Sequence, residues 1–316
     1  MLSAIYKPDL NLNPNGTQEP WNKLPLSISS DSQPKIAILG AGLAGSSLAY
    51  SLNRRGLSTT VFDSARKIAA GASGIPQFAL RPRLFQSDSA LAEYCLQSYL
   101  FAIRQFTSFA KTADLNWNNT GVLQFDDALN RKSKFKLAKI KNLYPYAVVQ
   151  FHKELEGHGF LAANGNPVLE FSQGGWICPR KVCEFLLEDS KAKLKLNTRI
   201  SKIHQTDKLW ILSTNSQEQF AFDIVIFANS EGITEFKQTG SLPLEITAGQ
   251  VSTFSAANSN MKIDKVVCGS RSLFPTMVEG KSSHLVAASY RNSSSVEQLA
   301  ADDEENYISV NSMLET

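Results

Sequence analysis

The sequence predicts an α/β fold in which a βαβ nucleotide-binding domain, split along the chain, is interleaved with a mainly antiparallel β-sheet domain. Three observations predict it. A short apolar strand, a glycine-rich turn, a helix with one apolar face and a second strand follow one another over residues 35–63. Another wholly apolar strand, within IVIFAN at 224–229, comes only much later. Many short β-patterned segments lie around it at close spacing, which an unbroken parallel βα repeat would not contain.

Residues 1–34 are rich in Asn, Pro, Ser and Gln without a sustained hydrophobic period, so a disordered arm or linker is expected there. Order begins at Lys35. KIAILG reads as a buried strand, LAGSSLAYSLNRRG as a helix with Leu43, Leu48 and Leu52 inward and Gly56 as its stop, and LSTTVFD as the next strand, ending in Asp63. Residues 87–111 carry Ala, Leu, Tyr and Phe at helical spacing and predict one long helix. TGVLQFD and VVQFH read as strands around a basic helical stretch, RKSKFKLAKIK. GGWICPRKVCEFLLEDSKAK reads as a turn followed by a helix that Pro179 starts. LKLN, RISKIHQ, KLWILST, QFAFD and IVIFAN follow as strands, AGQVSTFS, KVVCG and HLVAASY continue the β character, and the chain closes on the acidic stretch ADDEENY. The expected division is an arm at 1–34, the nucleotide-binding domain at 35–112 and 172–240, and a substrate domain at 113–171 and 241–316, truncated in its second part.

A chain of 316 residues accommodates two domains with a full-sized core. Its 43% hydrophobic and 19% charged content is that of an ordinary globular protein, and a net charge of +3 does not by itself imply nucleic-acid binding. Cys95, Cys178, Cys183 and Cys268 form no CxxC pair and have no histidine at zinc spacing, so no metal site is expected and a reducing, cytoplasmic compartment is the default. No apolar run reaches bilayer length, and the N-terminus lacks the features of a secretory signal, so neither membrane association nor export is expected.

Gly40, Ala41, Gly42, Leu43, Ala44 and Gly45 form GAGLAG directly after the first strand and open the first helix. Gly40 permits the tight turn, Gly42 lets the backbone approach a pyrophosphate, and Gly45 lets helix and sheet pack closely. The helix N-terminus adds free N–H groups and the positive end of its dipole. Asp63 can accept hydrogen bonds from both ribose hydroxyls of an adenosine and would repel a 2′-phosphate, which disfavours NADP. An NAD dehydrogenase would continue with further βα units. This chain instead enters a loop of small residues, Gly71, Ala72, Ser73 and Gly74, and reaches the strand IVIFAN only much later, a split layout typical of FAD proteins. Small residues there let main-chain N–H groups approach a diphosphate or flavin, and Ser73 adds a hydroxyl. The domain is therefore read as Rossmann-like and FAD-binding.

In this order, GAGLAG, GASGIPQFALRPRL, QGGWICP, IVIFAN, AGQVS and AASY resemble the FAD-dependent oxidoreductase domain of the bifunctional tRNA 5-methylaminomethyl-2-thiouridine biosynthesis protein, within the D-amino-acid and glycine oxidase superfamily. The resemblance covers about residues 35–300, and the ASG loop and GGW-x-CP turn are its most specific parts. EPW in the N-terminal arm resembles the linker to that protein's methyltransferase half. The resemblance implies FAD-dependent removal of the carboxymethyl group from 5-carboxymethylaminomethyl-(2-thio)uridine in tRNA. Glyoxylate leaves, the aminomethyl uridine remains, molecular oxygen reoxidises the flavin, and a separate methyltransferase acts on the product. It also implies that Gly40, Gly42, Gly45, Asp63, Ala72, Ser73 and Gly74 touch FAD, that the Ile200 backbone lies near the adenine, and that Gln250 sits on a strand under the flavin ring. The carboxylate of such a substrate calls for an arginine, and Arg81, Arg83, Arg271 and Arg291 are the candidates. The family's pattern continues past Thr316 with a segment that returns to the FAD domain. A chain without it is expected to leave one side of the flavin and one sheet edge open.

The run from Arg131 to Lys141 holds six basic residues with Phe135, Leu137 and Ile140 between them, a pattern that suits either RNA phosphates or an ordinary solvated helix. His152, His158, His204 and His284 are scattered and carry no catalytic pattern. Three function classes stay open on sequence: the tRNA-modifying oxidase, an oxidase of a free amino acid or secondary amine such as glycine or sarcosine, and an inactive remnant that keeps the nucleotide site.

Overall fold

The computed structural model describes residues 2–6, 33–85, 87–125, 140, 143–152, 168–255, 263–276, 283–293 and 295–314. In the first half of the chain these form strands β1 (Leu2–Tyr6), β2 (Ile36–Leu39), β3 (Thr59–Phe62), β4 (Phe78–Leu80), β5 (Val122–Phe125) and β6 (Gln150–His152), with helices α1 (Leu43–Asn53) and α2 (Ala90–Phe109). Next come β7 (Val168–Phe171), β8 (Gly175–Ile177), helix α3 (Pro179–Ser190), β9 (Lys193–Lys195), β10 (Ile200–Thr206), β11 (Leu209–Thr214), β12 (Gln219–Phe222) and β13 (Ile224–Phe227). The rest is β14 (Leu244–Ala248), β15 (Val251–Ser255), β16 (Val266–Cys268), β17 (Ser272–Leu273), β18 (Ser283–Ala287) and helix α4 (Ala300–Leu314).

Four parallel strands in the order β13-β2-β3-β9 form the centre of the nucleotide-binding part. All four residues of β2 are buried, as a strand covered on both faces requires. On one face Ile36, Ile38 and Val61 pack with Ala49 of α1 and Leu187 of α3. On the other, Ala37, Leu39 and Phe62 meet Ile203, Leu212 and Phe222 from the antiparallel sheet β10-β11-β12. Helix α1 ends at Asn53, and Gly56, at φ +79°, turns the chain back just beyond it. Pro179 opens α3, where its missing N–H costs no helical bond.

The second sheet has seven strands in the order β15-β18-β17-β16-β5-β7-β6, antiparallel except at the β16–β5 pair. All seven strands come from residues 122–171 and 251–287. One face packs on Tyr99 of α2 and on Trp176, the other on Val310 of α4. Strands β4 and β8 form a small antiparallel pair of their own.

Two local expectations are corrected, and the acidic stretch, given no structure on sequence, gains one. The N-terminal arm is not featureless: residues 2–6 pair antiparallel with β14, while 7–32 lie outside the described residues. GGWIC is not only a turn, because Gly175–Ile177 pair with β4, where Trp176 and Ile177 are buried. The acidic stretch near the C-terminus begins α4, a helix with little apolar face of its own. The basic run 131–141 falls outside the described residues except for Ile140, which is buried.

On the face of the large sheet that carries α4, Glu170 lies 2.5 Å from Lys265 Nζ and 2.8 Å from His152 Nε2. Burial alone raises its carboxyl pKa, but these two neighbours outweigh burial and hold it below its ordinary value. Such a group adds stability above its unfolded pKa and loses it as the pH drops through the lower folded value. Acidification below the ordinary value of 4.5 is therefore expected to lower the urea midpoint of the wild-type chain more steeply than that of Glu170→Gln.

Candidate functional site

The C-terminal ends of β2, β3 and β13 meet the N-terminus of α1, where parallel α/β sheets hold their ligands. A cavity of about 890 Å³ opens there. Gly40, Gly42, Leu43 and Ala44 form one wall, Asp63, Ser64 and Ala65 a second, and residues 69–73 with Ile75 a third. Thr198–Ile200, Ala228–Gly232 with Glu235 and Phe236 after β13, and Val296 from the segment before α4 complete it, with Leu39 and Phe62 at the strand ends.

Close backbone approach builds the floor. Gly40 has φ +108°, and a Cβ there would sit 2.3 Å from the Ala228 carbonyl oxygen. A Cβ on Gly45 would lie 1.9 Å from the Gly40 carbonyl oxygen, so α1 presses directly on the turn. The Asp63 carboxylate clamps this turn to its own loop, accepting from Ala41 N–H and from Ala65 N–H, each at 2.8 Å. Gly42, the residue before α1, has no side chain to cap the helix. Ser73 does so from across the cavity, its Oγ accepting from Leu43 N–H at 3.1 Å.

These residues fit FAD. The volume suits a dinucleotide rather than a small metabolite, the first turn of α1 has N–H groups without intrahelical partners, and among the described residues only the Ser73 side chain stands over Gly42.

Of the residues singled out by sequence, Gly40, Gly42, Leu43, Ala44, Asp63, Ala72, Ser73 and Ile200 line this one cavity. Ala41 and Gly45 are buried behind it, and Gly74 packs against the Ala69 carbonyl and Arg180. Gln250 is elsewhere: its side chain donates to Leu299 O at 3.0 Å and accepts from Leu299 N–H at 2.8 Å, just before α4.

The four arginines separate into two groups. Arg271 donates from Nε to Asn306 Oδ1 at 2.9 Å and pairs with Glu305, both on α4. Arg291 Nε lies 2.8 Å from Asp302 Oδ2, an ion pair without hydrogen-bond alignment, and its Nη2 donates to Glu297 O. Arg81 is exposed and donates from Nη1 to Gln124 Oε1 of β5 at 3.0 Å. Arg83 is also exposed and lies over the Phe85 ring at 5.3 Å.

Sequence reasoning missed the cavity residues after β13, together with Thr198 and Arg199. Once IVIFAN is paired parallel to β2, the residues after it must emerge at the same sheet end as Gly40, and that is the signal for them. Burial, foremost, pushes the Cys183 thiol up to about 11 and keeps it protonated. Among the described residues there is no cluster of three metal-binding side chains and no helix long and apolar enough to cross a membrane.

A family model described as FAD dependent oxidoreductase matches residues 35–306. The tRNA 5-methylaminomethyl-2-thiouridine biosynthesis bifunctional protein MnmC of Shewanella pealeana is 31% identical over 263 residues, which is 81% of this chain and 40% of that protein. Its namesake from Legionella pneumophila is 25% identical over 307 residues, 96% of this chain and 44% of that protein. The chain thus spans less than half the length of these relatives. Glycine oxidase from Geobacillus kaustophilus superposes with a TM-score of 0.68 at 16% identity, covering 89% of this chain and 78% of that one. L-proline dehydrogenase from P. horikoshii gives 0.70 at 14% identity, covering 90% and 77%. At such identities the structures establish the fold.

Two substitutions test this geometry in thermal unfolding without added ligand. Gly40→Ala meets both a positive φ and a backbone oxygen, and is expected to destabilise by roughly 3 kcal/mol or more. Ser73→Ala loses only the cap on α1, about 1 kcal/mol.

Proposed function

Because the chain belongs to the FAD dependent oxidoreductase family, with FAD as its cofactor, we propose that it oxidises the carboxymethylaminomethyl group of a wobble uridine in tRNA. The observation that carries the cofactor half of this reading is the convergence of GAGLAG, Asp63 and the ASG loop on one cavity. The substrate half draws on the 31% identity to the tRNA-modifying relative. The proposed net reaction takes R–NH–CH₂–COO⁻, O₂ and water to R–NH₂, glyoxylate and H₂O₂, with R the tRNA nucleoside. A separate methyltransferase would act on the product.

Bound FAD supplies the acceptor for the hydride from the carbon beside the amine. The chain's own residues hold and orient. Gly40, Gly42 and the first turn of α1 would receive the diphosphate, Ala72 and Ser73 would border it, with Gly74 packed behind them, and the Asp63 carboxylate, already oriented by two backbone N–H groups, keeps further lone pairs for ribose hydroxyls. Ile200 presents its backbone to the adenine.

For the substrate carboxylate we choose Arg81. Arg271 and Arg291 are taken by acidic residues of α4, and Arg83 lies against Phe85. Arg81 meets no carboxylate among the described residues, and its one hydrogen bond there uses a single donor of the guanidinium. It also follows β4, the strand after the ASG loop, and its hydrogen bond reaches β5 of the large sheet.

The visible spectrum of the purified chain after incubation with FAD tests the cofactor. The two bands of an enzyme-bound oxidised flavin are expected, and a protein that stays colourless would sink the enzyme reading. With flavin bound, glyoxylate is expected from carboxymethylaminomethyl tRNA and not from glycine or sarcosine. The reverse pattern makes the protein an oxidase of free amines. Arg81→Gln is expected to lower kcat/KM for the tRNA by about ten- to a hundredfold, mainly through KM, with FAD content unchanged.

A further inference from the structure

Three charged residues lining the cavity, Arg199, Glu231 and Glu235, belong to none of the motifs used so far, and two of them pair with each other. Arg199 stands between Thr198 and Ile200 at the start of β10, and Glu235 ends the short helical turn Ser230–Glu235 that follows β13. Both border the cavity, from separate wall segments. Arg199 Nη2 donates to both carboxylate oxygens of Glu235, at 2.9 and 2.7 Å, so the pair joins the two walls. The side chains stay 57% and 53% exposed, which puts the joint at the rim and not on the floor. Its position along the cavity is fixed by the neighbouring Thr198, whose N–H donates to the Asp63 carbonyl at 2.9 Å. The pair therefore stands on the side of the cavity that Asp63 and Ile200 line, the side read as holding the ribose and adenine.

We propose that Arg199 and Glu235 form a clasp across the rim that retains the adenosine half of the bound dinucleotide. The inference rests on the FAD reading of the cavity. With the pair closed, the strand wall and the turn wall are tied together over that end, and escape requires the ion pair to part. An exposed pair is weak and is screened by salt, which suits a closure that must open for loading. A merely decorative surface pair would have the same geometry but no influence on the ligand, and rates tell the two apart.

The test follows FAD release from the holoprotein after dilution, by recovery of free-flavin fluorescence, in the wild type, Arg199→Gln, Glu235→Gln, and the reversed pair carrying Arg199→Glu with Glu235→Arg. Each single variant is expected to release FAD about two- to fivefold faster at low ionic strength. High salt should bring the wild type close to the variants while changing them little, and the reversed pair should recover most of the retention. Apoprotein melting temperatures, measured alongside, should stay near wild type. Wild-type release rates in both single variants, or a reversed pair as fast as they are, overturn the clasp while leaving the FAD reading intact. A wild-type chain that binds no FAD overturns that reading and the clasp together.

Discussion

The architecture depends on one contact between backbones. At Gly40 the chain passes so near the Ala228 carbonyl that no side chain fits, and Gly45 brings α1 equally close to Gly40. These two approaches lock β2, β13 and α1 into one rigid corner. The positive end of the helix dipole then faces the space beyond the strand ends, and the cavity lies where that field is strongest. Asp63 and Ser73 act on the same corner, one tying the turn to the loop after β3 and the other capping the helix from the opposite wall.

The large sheet is held by different physics. Its α2 face is an extensive apolar core, but α4 attaches largely through charged and polar groups. Asp302 and Asn306 are buried, Asn306 donates to Gln250 O and Ser252 Oγ, and Asp303 accepts from Ser252. The Arg271 and Arg291 ion pairs belong to this network. Buried polar groups of this kind are favourable only when they find partners, so the network fixes how the helix sits more than it drives the helix to bind.

Much of the nucleotide site was legible in the sequence because its determinants are local. A strand, glycines at set intervals, a helix and an acid at the next strand end are all readable within residues 35–63. The split layout was legible from the late apolar strand IVIFAN. What escaped reading was set by distant partners. The helix at 300–314 has no clear apolar stripe: Val310 is its one buried apolar residue among those described, while buried Asn306 donates to Gln250 and Ser252 and buried Asp302 pairs with Arg291. The pairing of residues 2–6 with β14 joins segments far apart in the chain. The arginines looked equivalent as letters, and only their carboxylate neighbours separate them. Arg199 and Glu235 gave no signal, because a pair closed across a cavity mouth leaves no spacing pattern.

The pairing of Ile36 with Ile224 has a consequence for how the molecule comes into being. A nascent chain emerging from the ribosome exposes GAGLAG early, yet the neighbour that completes its floor is not synthesised until most of the sequence has followed. The sheet must wait with an unpaired edge while other segments gather beside it, and closing a loop of that length is slow. The cavity is therefore completed late in synthesis, and a chain interrupted before β13 would carry the glycine motif without the wall that follows that strand.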